Sequence, residues 1–130
     1  MSYSNPNRMS YSFGSLDFGT ITDTTEVFSI QGPSGKAGRL IEIMVSATET
    51  FNAVTTQANV QVGTAADPDA NALFNLGTLA DTDSVSAYGS SSIIDADIAA
   101  DTQVEVTITG PTGGTPAGIA YVTIIIDWDW

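Results

Sequence analysis

The chain has 130 residues, the size of one ordinary domain, and its 15 Asp and Glu against 3 Lys and Arg give a formal net charge of −12. This balance disfavours nucleic acids and anionic membranes as partners, because binding either needs clustered Lys and Arg. The absence of Cys and His excludes Ser-His-Asp and Cys-His catalytic groups, thiolate or imidazole zinc sites and disulfides. We therefore expect a soluble, non-enzymatic protein without catalytic residues or cofactors.

The first 19 residues show no regular apolar period, but they contain an internal repeat, Met1-Ser2-Tyr3-Ser4 and Met9-Ser10-Tyr11-Ser12. One interpretation is a chance duplication at a mobile terminus. The other is an extended N-terminal arm, residues 1–19, that docks on a neighbouring protein, because aromatic side chains offer large contact areas at few rotatable bonds. The aromatic residues of this arm are Tyr3, Tyr11, Phe13 and Phe18.

Alternation of apolar and polar residues predicts strands along the rest of the chain. The clearest run from Arg39 to Glu49, from Gln57 to Val62 and from Thr102 to Thr109, and the weaker candidates are Glu26 to Ile30, Ala72 to Leu76 and Val85 to Ile94. No long stretch has a helical period. The sequence therefore predicts an all-β fold, a jelly-roll-like antiparallel β-sandwich, in which residues 20–130 form the single sandwich domain.

The last predicted strand, Gly118 to Trp128, is apolar on both faces. We interpret it as a central strand whose second face is covered either by a loop or the N-terminal arm, or else by another subunit. The loop before it, residues 110–117, holds two prolines and three glycines, which suits a long hairpin. We therefore expect the two strands that flank this loop to be antiparallel neighbours.

Several residues are candidates for binding a partner because of their chemistry. The only cations are Arg8, Lys36 and Arg39, and the last two form a positive spot that could pair with acids on an adjacent copy. The chain ends on Trp128 and Trp130. Strands that end in two indoles are hard to leave exposed, so this tail either packs back over the sandwich or lies in a partner.

Acidic residues recur in the predicted loops, and they admit two interpretations. Their oxygens could hold a structural calcium ion, although the spacing matches no EF-hand, or they could cap turns by accepting backbone N–H bonds. We assign no metal ligands on this pattern. The residues are Asp67, Asp69, Asp81, Asp83, Asp95, Asp97 and Asp101.

Four stretches resemble small structural proteins of tailed bacteriophages, the virion proteins that decorate or cement the capsid. They are Gly38-Arg39-Leu40-Ile41-Glu42-Ile43, residues 60–70 (VQVGTAADPDA), residues 98–106 (IAADTQVEV) and residues 111–118 (PTGGTPAG) before the apolar final strand. Together they span most of residues 32–128. The resemblance is one of overall style and short stretches.

This resemblance implies a jelly-roll-like domain that binds the major capsid protein on the outside of an expanded head, often as a homotrimer, and stabilises the shell. It also implies a location on the virion after synthesis in the host cytoplasm, and no catalytic residues. The leading hypothesis is a capsid decoration protein. The alternatives are a tail or head-fibre module that binds host glycans through Tyr88, Trp128 and Trp130, and a calcium-stabilised extracellular binding module.

Overall fold

The computed structural model describes residues 7–18, 20, 25–52, 55–65, 69, 72–76, 85–89, 91–113, 115 and 117–128. These residues form strands and no helix. The strands are β1 (Arg8–Asp17), β2 (Thr25–Ile30), β3 (Gly38–Asn52), β4 (Asn59–Thr64), β5 (Phe74–Asn75), β6 (Val85–Tyr88), β7 (Asp97–Ile98), β8 (Val104–Thr109) and β9 (Ala117–Trp128). Within these ranges, no helix is long and apolar enough to cross a membrane.

The strands form two antiparallel sheets. The first has the order β1-β9-β3-β6, with β7 paired to the start of β3, and the second has the order β2-β8-β4-β5. Successive strands change sheet at every connection except β4 to β5 and β6 to β7. The prediction of an all-β antiparallel sandwich is confirmed.

The core lies between the two sheets, because alternate residues of each strand point inward and those residues are apolar. In β9, the inward residues are Ala120, Val122, Ile124 and Ile126, and all four are fully buried. They face Val60, Val62, Val104, Val106 and Ile108 of the second sheet, which are also fully buried. The alternation of apolar and polar residues in the sequence therefore produces this core.

The N-terminal segment differs from its prediction. Residues 8–17 form β1, an edge strand whose register runs from Arg8 opposite Asp127 to Asp17 opposite Ile119. Its register shifts between Phe13 and Leu16, so that Leu16 and Phe18 still reach the core. An arm separate from the sandwich is therefore wrong for residues 8–18, because these residues complete a sheet of their own chain. Residues 1–6 lie outside the described residues.

The predicted pairing of the last two strands is also wrong. Strand β8 pairs with β2 and β4, whereas β9 pairs with β1 and β3. The loop between them crosses from one sheet to the other, which its length permits because stacked sheets lie only about 10 Å apart. The backbone of Thr112 in this loop pairs with Thr56.

The central position predicted for the last strand is confirmed, since β9 lies between β1 and β3. Residues 8–17 do not cover its second face, because β1 pairs beside β9 in the same sheet. On that outward face Tyr121 is 43% exposed, and Ile119, Thr123 and Ile125 are half-buried. The first sheet therefore presents an outer face that combines apolar and polar residues.

Candidate interaction site

The end of the sandwich at which β1 and β3 begin and β9 ends is organised around Trp128. The Trp128 side chain is buried, and its ring lies against the backbones of Gly32 and Gly38. A Cβ at either glycine would come within 2.5 Å of the ring. The indole Nε1–H donates to the Tyr11 hydroxyl at 2.9 Å, and the Trp128 backbone N–H donates to the Asn7 carbonyl at 2.9 Å. The tail therefore packs back on its own chain as far as Trp128.

Two ion pairs lie on the outer face beside this indole. Arg8 and Arg39 are both cross-strand partners of Asp127, one from each neighbouring strand of β9. The Arg8 guanidinium lies 3.6 Å from the Asp127 carboxylate, and that of Arg39 lies 3.7 Å from the Asp97 carboxylate. Both arginine side chains remain about half exposed, at 50% and 47%. They are thus held in place and still accessible to a partner.

The third cation lies in the loop that joins the two sheets at the same end. Lys36 is exposed, and its backbone N–H donates to the Pro33 carbonyl at 3.2 Å. The neighbouring Gly35 N–H donates to the Asp101 carboxylate at 2.8 Å. With Gly32 and Gly38 packed on the indole, this turn is fixed at both of its ends. The Lys36 residue thus lies on a turn that is held by contacts with Trp128 and Asp101.

We call this end of the sandwich, with Arg8, Lys36 and Arg39, the cationic end. Acidic residues are present there too, but the other end has no cation, because these three are the only ones in the sequence. At that other end, Asp17 and Glu49 flank Ile119 on β9, as the two arginines flank Asp127. Eight residues of β9 separate these two rows, which corresponds to about 26 Å.

The structure brings together Arg8, Tyr11, Lys36, Arg39 and Trp128, five of the residues that the sequence predicted for partner binding. It places Phe13 and Phe18 elsewhere. Phe13 lies halfway along β1 and contacts Phe28 of β2, with ring centroids 4.9 Å apart. Tyr3 and Trp130 lie outside the described residues, and Tyr88 is described by its backbone alone.

Two of the predicted contacts require correction. Phe18 is completely buried in the core and Trp128 is 2% exposed, so neither side chain is accessible to a partner or to a glycan. The reason is that Phe18 follows the register shift in β1 and Trp128 fills the gap above two glycines. Both residues stabilise the sandwich, and Trp128 also supports the cationic end.

Two of the described loop aspartates, Asp95 and Asp101, accept backbone N–H bonds in turns. Asp95 accepts from the Asp97 backbone N–H at 2.9 Å, and Asp101 accepts from Gly35. The turn-capping interpretation is confirmed for these two residues. Within the described part of the chain, no three acidic residues are grouped so as to hold a metal ion. Asp67, Asp81 and Asp83 lie outside it.

A groove that sequence analysis did not predict lies beside Arg39. It has a volume of about 410 Å³ and is lined by Arg39, Leu40, Ile41, Ile93, Ile94 and Ala96. It lies along β3, where the register shifts between Leu40 and Glu42 and where β6 has ended and β7 has not begun. Ile94 at its edge is 65% exposed. The only sequence signal was the doublet Ile93-Ile94 at the end of a weak strand prediction.

No protein-family model matches the sequence, and no curated protein matches it. Among solved structures, the chain is similar to a chain in the acidic stable capsid structure of Helicobacter pylori bacteriophage KHP30. The alignment covers 90% of this chain and 93% of that chain, at 14% sequence identity and a TM-score of 0.39. At that TM-score, neither fold nor function follows from the likeness. The function has to be argued from the residues of this chain.

Proposed function

We propose that this protein is a non-enzymatic virion protein that decorates the exterior of a phage capsid and stabilises the head, attached through its cationic end. The observation that carries this proposal is that the chain's three cations meet at one end of an otherwise acidic molecule. The cations of the chain lie at this end alone, where Arg8 and Arg39 each keep about half of the side chain exposed beside their own acidic partners, Asp127 and Asp97. The resemblance of the sequence to decoration proteins supplies the kind of partner, the major capsid protein.

The order of the strands supports the proposal. With the two-residue β7 left out, the two sheets have the orders β1-β9-β3-β6 and β2-β8-β4-β5, and only β4 and β5 are joined within one sheet. This order is compatible with an eight-stranded jelly roll, an architecture that viral capsid proteins use and that unrelated lectins and enzymes share. The topology is therefore compatible with a virion role, and the cationic end is the surface through which the protein would bind the capsid.

The attachment end is built to resist deformation. The turn that bears Lys36 is held at Gly32 and Gly38 by the indole of Trp128, and at Gly35 by Asp101. A rigid contact loses little conformational entropy when it binds. The Trp128 backbone N–H also bonds to the Asn7 carbonyl at this end, which ties the described start of the chain to the end of β9.

The proposal is tested by co-sedimentation of the purified protein with expanded, undecorated heads of the virus that encodes it. We expect saturable binding at a stoichiometry that matches the capsid lattice. The charge-removing variant Lys36→Gln should weaken binding several-fold, because a rim charge contributes about 1 kcal/mol or less.

The matched control is Thr25→Asp, which changes the net charge by the same amount on an exposed residue at the opposite end of β2. It should bind as the unchanged protein does. Absence of saturable binding would overturn the decoration role and favour the module that binds host glycans. Equal weakening by both variants would mean that overall charge, and not the cationic end, controls attachment.

A further inference from the structure

The outer face of the first sheet has a charge pattern that is complementary to itself. The face consists of the outward residues of β1, β9 and β3. One end row reads Arg8, Asp127, Arg39, and the other end row reads Asp17, Ile119, Glu49. Between the rows lie the outward residues Ser10, Ser12, Tyr121, Thr123, Ile125, Glu42, Met44 and Ser46. Both arginines of this face thus lie in one end row, and the other end row holds the acids Asp17 and Glu49, of which Glu49 accepts the Gly118 backbone N–H at 3.2 Å.

We infer that this face packs against the same face of a second copy of this chain, with the two β9 strands antiparallel. This inference concerns the free protein in solution and does not depend on the proposed function. A two-fold axis relates the two copies. It lies between the first sheet of one copy and the first sheet of the other, and it runs along the row of Ser12, Thr123 and Met44. Such a contact is isologous, because each copy uses the same surface.

The two-fold axis brings opposite charges together. It places Arg8 opposite Asp17 of the second copy and Arg39 opposite Glu49 of the second copy, and both pairs occur twice. A parallel arrangement would instead place arginines opposite arginines and acids opposite acids. Like charges in contact across an interface disfavour that arrangement, so the antiparallel orientation is selected.

The apolar residues follow the same symmetry. Tyr121 and Ile125 are equidistant from Thr123 along β9, so the axis places Tyr121 of one copy on Ile125 of the other. Tyr121 is the most exposed residue of β9, and its ring already lies over Gly14 of β1, which has no side chain there. Burying an exposed tyrosine is a common source of interface stability.

The size of the face suits a weak pair. Three strands at about 4.8 Å spacing and eight residues at about 3.3 Å rise give a flat area of about 380 Å² per copy, or about 760 Å² in total. This area is smaller than that of a standard specific interface and falls in the range of weak, transient contacts. The net charge of −12 on each copy opposes association at low salt. We therefore expect a dimer that dissociates on dilution.

The test is the molar mass of the whole chain in solution, measured by sedimentation equilibrium over a wide range of protein concentration. We expect a monomer–dimer equilibrium between 13.5 kDa and twice that mass. The variants Arg8→Asp and Asp17→Arg should each weaken dimerisation several-fold. The double variant has the net charge of the unchanged protein and the same pair in reverse, and it should restore dimerisation.

A second pair of variants separates this interface from general charge effects. Met44 lies on the proposed axis and faces Met44 of the second copy, so Met44→Lys places two cations together and should weaken the dimer. The control Val27→Lys makes the same charge change at a residue of the second sheet that is 54% exposed, and it should leave the dimer unchanged. Both variants lower the magnitude of the net charge, which would strengthen nonspecific association.

Three results would overturn the inference: a monomer at every concentration, a trimer, or a dimer that responds equally to Met44→Lys and Val27→Lys. Circular dichroism of each variant establishes that it is folded. Co-sedimentation with capsid heads is a separate measurement, so a failure of the pairing leaves the proposed attachment to its own test.

Discussion

At the scale of single residues, Trp128 determines how the cationic end is built. The sequence identified Trp128, Tyr11, Arg8 and Arg39 by residue type, but it could not show that the indole is enclosed. The enclosure depends on two glycines that precede Trp128 by 90 and 96 residues, and on a tyrosine of β1. Contacts between segments this far apart leave no local pattern in the sequence. From the sequence alone, a tryptophan exposed to a partner therefore cannot be distinguished from one buried in its own chain.

The close approach of Gly38 to the indole gives a test at this scale. In Gly38→Ala the new Cβ would lie 2.5 Å from Trp128, so the ring or the strand has to move. We expect the free energy of unfolding to fall by about 1–3 kcal/mol, as overpacking does elsewhere. Urea denaturation followed by tryptophan fluorescence measures the change.

The matched control is Gly89→Ala, because a Cβ at Gly89 has no atom within 4 Å. The free energy of unfolding of that variant should lie within about 0.5 kcal/mol of the value for the unchanged protein. Equal stability of the two variants would show that the indole does not rest on Gly38.

At the scale of strands, the sequence predicted the elements whose alternation is uninterrupted. Strands β3, β4, β8 and β9 overlap their predicted ranges closely. It did not predict β1, because the register shift between Phe13 and Leu16 changes the phase of the inward residues Tyr11, Phe13 and Leu16. A period of two residues that breaks at a bulge no longer appears as a period.

The pairing of strands was less predictable than the strands themselves. Nothing in residues 110–117 distinguishes a long hairpin from a crossing between sheets, because Gly and Pro punctuate both. The register of β9 with β1 and β3 joins residues at least 65 positions apart. The outer face and the cationic end both depend on this register, which is why the sequence supplied the residues of the site without its arrangement.

Since residues 8–12 belong to β1, removing them has a different consequence from the loss of a separate arm. Deletion of residues 1–12 takes away Tyr11, which accepts the Trp128 indole bond, and the Arg8 pair with Asp127. It also exposes the edge of β9 at Ile124 and Ile126. We expect the free energy of unfolding to fall by about 3 kcal/mol, measured by urea denaturation.

Deletion of residues 1–6 is the matched control, because it leaves β1 whole. It should change the free energy of unfolding by about 0.5 kcal/mol or less. If the longer deletion were as stable as the full chain, β1 would not contribute to the sandwich in solution.

At the scale of the whole molecule, the dominant property is the formal net charge of −12. The two ion pairs at the cationic end are exposed on at least one side, so each contributes about 0–1 kcal/mol. Repulsion among the remaining acids acts throughout the compact state and is relieved when the chain unfolds. Salt should therefore stabilise this protein, because screening weakens the repulsion more than it weakens two exposed pairs.

The last prediction follows from this balance. The Debye length falls from about 30 Å at 0.01 M salt to about 10 Å at 0.1 M, so sodium chloride over that range should raise the melting temperature by a few degrees, measured by circular dichroism. Calcium and magnesium chloride, compared at one ionic strength, should give equal melting temperatures, because screening depends on charge and not on the ion. A calcium site in the acidic loops would raise the melting temperature in calcium alone, by mass action on the folded state. Such a difference, reversed by EDTA, would restore the calcium-stabilised module as the better account of these loops.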